Sequence, residues 1–191
     1  SGQTEADLAQ AKQSFAGGVT HATHLYNAMS GCNHRAPGVV GAVFDTPAVS
    51  AELICDGFHI DPAVLRITFR VLGEDRTVII SDAMRAAGMK DGDYDLGGQN
   101  VQVRGGLARL AGGTIAGSTT NMHQEVKNLL SYGVPFRQVI KSATINPARA
   151  IRVDQETGSI APGKNADLLV LDGNLDIKLV MVRGEIKVNR L

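Results

Sequence analysis

The chain has 191 residues, 43% of them hydrophobic, enough to bury a sizeable core as one domain or one domain with a small appendage. Nineteen basic residues balance nineteen acidic ones and no Lys/Arg run stands out, which excludes an electrostatic footprint for nucleic acid or a membrane surface. No apolar run reaches the ~18 residues of a membrane span, the N-terminus has no basic-then-apolar leader pattern, and Cys32 and Cys55 stand in no CxxC spacing. A cytoplasmic protein with two idle thiols is expected.

Ser1-Gly2-Gln3-Thr4 opens directly on a helix signal, so the chain is expected to start in mid-fold. Thr4 and Asp7 read as a capping box with Asp in place of Glu, and Leu8, Ala11 and Phe15 at helical spacing predict a helix over 5–16, stopped by Gly17-Gly18. A strand over 19–24 follows and ends at His24, with His21 placed on its opposite face by strand alternation. A polar Gly/Pro loop over 27–37 carries Arg35; residues 39–44 are apolar with two small residues and show no assignable period. Residues 48–55 read as a buried strand running into Asp56-Gly57-Phe58-His59. Asp61-Pro62 is an N-cap with proline at the first helical position, and Val64, Leu65, Thr68, Val71 and Leu72 mark the inner face up to Gly73. The β-branched run over 77–80 reads as a central parallel strand, ending at Ser81-Asp82.

Helix and strand thus alternate as in βα units on a parallel sheet. Glycines at 92, 97, 98, 105, 106, 112 and 113 then divide short runs into a β-hairpin excursion at about 91–113. Helices are predicted over 121–132 and 135–143, with a short third from Asn146-Pro147. From Gly158 the pattern is all-β, with turns at Asp172-Gly173 and Arg183-Gly184. The expected division is 1–152 as an α/β part containing the excursion and 153–191 as a small β segment.

Each chemically interesting residue has an ordinary alternative at this level. His24 at a strand exit is a metal ligand or a satisfied core histidine. Arg35, with the Asn27-Ala28 turn, is a phosphate grip or a solvated arginine. Asp82 past a buried strand is a working carboxylate or an N-cap. Asp56-Gly57-Phe58-His59 is a site loop or a simple bend, and Gly117-Ser118-Thr119-Thr120 is a cap or a substrate-facing turn. His123 is expected to be exposed. Together the picture is sharper: three successive strand exits carry His24, His59 and Asp82, the residue types a hydrolytic metal site needs on one rim.

At Thr23 to Met29 (THLYNAM), Ala36 to Gly38 (APG), Asp56 to Asp61 (DGFHID), Ser81 to Ala83 (SDA), Ala116 to Thr119 (AGST) and Asn146 to Ile151 (NPARAI) the chain resembles the N-acetylglucosamine-6-phosphate deacetylases of the amidohydrolase superfamily. Gly158 to Asp172 (GSIAPGKNADLLVLD) is shared more widely across that superfamily. The resemblance implies an α/β fold made of the later part of a (β/α)8 TIM-type barrel, with the C-terminal strands of a small β-sandwich. It implies metal-dependent hydrolysis of the acetamide of N-acetylglucosamine 6-phosphate, with His24 as a metal ligand and Asp82 as the catalytic aspartate. Asn27, Ala28, Arg35 and His59 match substrate-binding positions, Arg35 reaching the site of a neighbouring subunit, which implies a homodimer. The implied cofactor is one divalent metal, zinc first and iron second. The family's metal-ligand glutamate and a carbonyl-polarising histidine would lie in a preceding half, so this chain alone is expected to be impaired. Gln3 stands where the family has another ligand histidine, and a neutral amide oxygen is a poor replacement for imidazole. Thr120-Asn121 stands where the family has an apolar residue and threonine. The alternatives are another amidohydrolase, a cyclic amidase or deaminase, or a non-catalytic remnant.

Overall fold

Three short parallel strands frame the computed structural model, which describes residues 2–191: β1 (His21–Ala22), β2 (Ser50–Leu53) and β3 (Thr77–Ile79), adjacent in chain order. Ala22 pairs with Ala51 and Leu53 with Ile79. Every residue of β3 is buried, as a strand covered on both faces requires. Helix α1 (Leu8–Ala16) precedes β1, α2 (Gly38–Phe44) separates β1 from β2, and α3 (Pro62–Leu72) separates β2 from β3. All three strand exits therefore open on one edge of the sheet.

Several boundaries differ from expectation for identifiable reasons. The reciprocal cap of α1 is made by Asp7 and Gln10, whose side chains accept from each other's backbone N–H at 2.9 and 3.0 Å, so the helix begins after Asp7. Thr4 instead accepts from Ala6 N. β1 has two residues rather than six, because the chain turns out of the sheet before His24. Residues 39–44 belong to helix α2, which buries five of its seven residues (Gly38, Val39, Val40, Ala42 and Val43), leaving no polar face to mark a period. α3 starts where Asp61-Pro62 predicts, with Asp61 Oδ1 accepting from Ala63 N at 2.7 Å. Its inner face uses Phe69, however, and Val71 is exposed. Leu25, Leu53, Leu65 and Phe69 join one buried cluster with the valines of α2, each contributing roughly 1.5–3 kcal/mol.

The glycine-rich excursion forms three antiparallel strands rather than a single hairpin: β4 (Gly92–Leu96), β5 (Gln99–Arg104) and β6 (Leu107–Leu110). It has its own small core of Met84, Ala86, Val101, Val103 and Ala108. Helices α4 (Met122–Ser131), α5 (Phe136–Ala143) and α6 (Ile145–Ala150) follow, then the antiparallel strands β7 (Leu168–Leu171), β8 (Ile177–Val182) and β9 (Glu185–Asn189). Asn146 Nδ2 donates to Glu74 O and Thr77 O, both at 2.8 Å, tying α6 to the start of β3. His123 is half-buried rather than exposed: its Nε2 donates to Leu175 O at 2.6 Å, and Lys127 pairs with Asp176 at 2.9 Å, so α4 is pinned to the β7–β8 connection. Among the described residues no helix is long and apolar enough to cross a membrane.

Candidate active site at the strand exits

The β1 exit is a run of unusual backbone. His24, Tyr26 and Ala28 have φ of 35, 78 and 52°, left-handed values at alternate non-glycine residues. Each such residue costs on the order of 1–2 kcal/mol, so neighbouring contacts must hold the turn. Leu25 N donates to Glu52 O at 2.9 Å, Asn27 N to His24 O at 3.0 Å, and Asn27 Nδ2 to His24 O and Leu25 O at 3.3 Å. The Tyr26 hydroxyl meets Thr68 Oγ1 at 2.5 Å. The Leu25 and Asn27 backbone N–H groups are thereby used inside the protein, while no acceptor among the described residues holds the Ala28 N–H. Ala28 is exposed at the end of this run and Arg35 is exposed in the loop beyond it, whose bend is held by Asn33 Oδ1 accepting from Arg35 N at 3.1 Å.

His24 itself is half-buried, and its Nδ1 is a buried ring nitrogen with no hydrogen-bond partner in the chain. Such an orphan calls for an explanation, a role as a ligand-binding atom being one. The segment carrying Gln3 crosses this exit: a Cβ on Gly2 would lie 3.6 Å from His24 Cε1, and Thr4 bridges to Met29. His21 and His24 do not occupy opposite surroundings as strand alternation predicts. His21 Nε2 lies 2.9 Å from Glu52 Oε1, and the Glu52 carboxyl is held below its usual range by that hydrogen bond first, with the His21 and His24 charges adding to it against burial.

At the β2 exit, Asp56 organises its own turn. Oδ1 accepts from Phe58 N at 2.8 Å and His59 N at 2.9 Å, while Oδ2 accepts from His59 Nδ1 at 2.7 Å. Both side chains are only 7% exposed. Burial pushes the Asp56 carboxyl up, and the hydrogen bonds from the His59 ring and from the His59 and Phe58 amides overcome it, leaving it below the usual range. A carboxylate can only accept, so the Asp56 contact puts a His59 proton on Nδ1.

At the β3 exit Asp82 is exposed with φ 47°, and its backbone is tied on both sides. Ser118 N donates to Asp82 O and Met84 N to Ser118 O, each at 2.9 Å, and Ser118 Oγ donates to Ser81 O. Ser118 is thus a strut for the Asp82 turn, while the cap of α4 is Asn121, whose side chain accepts from Gln124 N at 2.9 Å. Thr119 and Thr120 line a cavity of about 330 Å³ together with Asp56, Phe58, Gly106 and Asn128, a size that suits a small ligand. The Thr119 hydroxyl donates to Gly106 O at 2.5 Å, which draws the excursion to the edge of this cavity.

Of the eight non-glycine residues with positive φ among those described, four are Gln3, His24, Ala28 and Asp82, candidates already named from sequence. Strain of this kind gathers at functional sites. The expected metal donors do not close into a set, since among the described residues no three His, Cys, Asp or Glu side chains are grouped to hold an ion. The site's neighbourhood also contains a residue that sequence reasoning missed: Glu125 of α4 is fully buried, its side chain accepting from Cys55 N just beyond β2. The available signal was its place four residues before buried Leu129 and next to buried Val126, on the inner face of the helix.

A family model described as the amidohydrolase family matches residues 2–187. The chain is similar to N-acetylgalactosamine-6-phosphate deacetylase of Escherichia coli, 39% identical over 186 residues, covering 97% of this chain and 49% of that protein. It is similar to N-acetylglucosamine-6-phosphate deacetylase of Bacillus subtilis, 37% identical over 186 residues, covering 97% of this chain and 47% of that protein. A solved structure of a variant N-acetyl-D-glucosamine-6-phosphate deacetylase from Mycobacterium smegmatis, in complex with N-acetyl-D-glucosamine-6-phosphate, superposes with a TM-score of 0.93 at 39% identity, covering 98% of this chain and 50% of that one. The chain spans about half the length of these relatives.

Proposed function

Because this chain belongs to the amidohydrolase family, with the α/β fold of the later TIM-barrel units and β-sandwich strands, we propose that it forms part of an enzyme hydrolysing the acetamide of N-acetylglucosamine 6-phosphate to glucosamine 6-phosphate and acetate. The observation that supports this reading is the strained run over 24–28, in which the buried Nδ1 of His24 has no partner among the described residues and Ala28 is exposed at the end of the turn. The galacto epimer is the second substrate reading, favoured by the similarity to the Escherichia coli N-acetylgalactosamine-6-phosphate deacetylase. On this reading residues 1–152 are the barrel part, with the excursion at about 91–113, and 153–191 the sandwich segment. The setting is cytoplasmic and the assembly a homodimer, in which exposed Arg35 reaches the neighbouring subunit's site.

The family is metal-dependent, and we take the ion to be zinc, with iron second. His24 suits such an ion as a single imidazole donor. With Gln3, on the segment that crosses this exit, as the second candidate donor, this chain offers less than the three protein ligands of a catalytic zinc site. The chain's own residues supply binding and proton handling. Ala28, through its backbone amide at the end of the turn that Asn27 shapes, grips the 6-phosphate together with Arg35, and this remote binding energy positions the acetamide. His59 Nε2 meets the sugar, and Asp82 takes a proton from the attacking water and returns it to the departing nitrogen.

Acetate release tests the reading. A protein carrying this sequence within a complete barrel is expected to hydrolyse N-acetylglucosamine 6-phosphate far faster than unphosphorylated N-acetylglucosamine, whereas the 191-residue chain alone is expected to release negligible acetate. Equal rates on the two sugars, or preference for a cyclic amide, would remove the phosphate site from the account. In the same complete barrel Gln3→His is expected to raise bound zinc, read by elemental analysis. Identical metal stoichiometry in both versions would sink the argument about glutamine.

A further inference from the structure

Helix α4 grips the turn that presents His59 at three points. Glu125 accepts from Cys55 N, Asn128 Nδ2 donates to Cys55 O at 3.1 Å, and the Tyr132 hydroxyl lies where a Cβ on Gly57 would come within 2.5 Å of it. Gly57 has φ +82°, so glycine there meets both a conformational and a steric need. Residues 125, 128 and 132 are spaced three and four apart and form one stripe along the helix. Both polar groups of the Cys55 peptide are thus held from α4, and Cys55 directly precedes Asp56, which in turn fixes the His59 ring.

We propose that the Glu125, Asn128 and Tyr132 stripe is a positioning element that locks the Cys55 to His59 turn and thereby sets the orientation and tautomer of the His59 imidazole. This rests on the reading of His59 as a substrate-binding residue. The stripe touches neither substrate nor reacting atoms and acts through Asp56.

Glu125 is also the point at which pH can act on the lock. Burial pushes its carboxyl up to about 8, the Cys55 N–H pulling it down and the Asp56 charge pushing it up further. It is faced by Cys55 and Asp56 from the β2 exit and by Tyr132 from the end of its own helix. Burial and Glu125 together push the Cys55 thiol up, so it stays uncharged beside the carboxyl. The Thr120 hydroxyl beside this carboxyl also pulls it down, so burial outweighs both hydrogen bonds. When Glu125 ionises, a second carboxylate faces Asp56 and the Asp56 to His59 hydrogen bond is disturbed.

The test is nitrogen-15 NMR of the histidine rings in the 191-residue chain. The wild type is expected to show a single His59 tautomer protonated on Nδ1 and an inflection from Glu125 in the His59 ring shifts near pH 8. Glu125→Gln keeps an acceptor for Cys55 N, so it should retain the tautomer and lose the inflection. Glu125→Leu and Asn128→Leu should each lose the fixed tautomer, their ring shifts moving toward the solvent average. Persistence of the tautomer in folded Glu125→Leu and Asn128→Leu, or of the inflection in Glu125→Gln, would overturn the proposal. If Glu125→Leu fails to fold, Asn128→Leu and the comparison of wild type with Glu125→Gln still decide it. Addition of N-acetylglucosamine 6-phosphate separates the two ideas: a His59 ring that ignores the sugar phosphate rejects the substrate role, whereas the tautomer and inflection judge the lock.

Discussion

In a complete barrel carrying this sequence, Asp82→Asn is expected to lower kcat for acetate release by about 10²–10⁴-fold while leaving KM nearly unchanged. The substitution is clean because of the backbone. Asp82 sits at φ 47°, a left-handed conformation that asparagine accepts as readily as aspartate. The hydrogen bonds that hold its turn come from backbone groups and from Ser118, not from the Asp82 carboxylate: Ser118 N to Asp82 O, Met84 N to Ser118 O, and Ser118 Oγ to Ser81 O. An amide fills the same space but cannot take the proton from the attacking water or return it to the nitrogen. The proposed phosphate contacts at Asn27, Ala28 and Arg35 lie at a different strand exit, so substrate affinity should survive. A variant with wild-type kcat would remove Asp82 from the mechanism. Loss of substrate affinity equal to the loss of rate would instead make it a binding residue.

What could be read from sequence follows from where side chains meet two environments or one. The β3 run is buried on both faces, so its unbroken β-branched character was visible in Thr77 to Ile79. Asp61 and Pro62 announced α3 because a cap and a first-turn proline are local devices. α2 was invisible for the opposite reason, its valines being buried nearly all round in a seven-residue helix. The site shows the same division. His24, His59 and Asp82 were placed at strand exits by position alone. The left-handed backbone at His24, Tyr26, Ala28 and Asp82 carries no glycine to betray it, and it is imposed by contacts from β2, α3 and the segment before α4. Glu125 was missed because a charged residue on a helix is ordinarily a solvent residue, whereas here a strand-exit peptide reaches it from 70 positions away.

Glu125 also makes the stability of the fold depend on pH, with a sign opposite to that of five carboxylates held by partners. Asp45, Glu52, Asp56, Asp75 and Asp172 are held low by their partners and favour the folded state above the acid range. Glu125 is raised by burial from 4.5 to about 8. Below pH 4.5 it is protonated whether the chain is folded or not, and its contribution is fully present. As pH rises from there, the unfolded chain releases the proton first, and folding loses stability until the folded group ionises near pH 8. Across that window the loss is on the order of 3–5 kcal/mol. Glu125→Gln cannot titrate, so its stability relative to wild type is expected to climb by that amount between pH 4 and pH 8.5 and then level off. Paired urea unfolding curves at several pH values measure the difference directly and cancel the other carboxylates, which are common to both proteins. A difference that stays flat across the window would mean that Glu125 is already ionised in the folded chain, with Thr120 and the Cys55 N–H stabilising a buried charge.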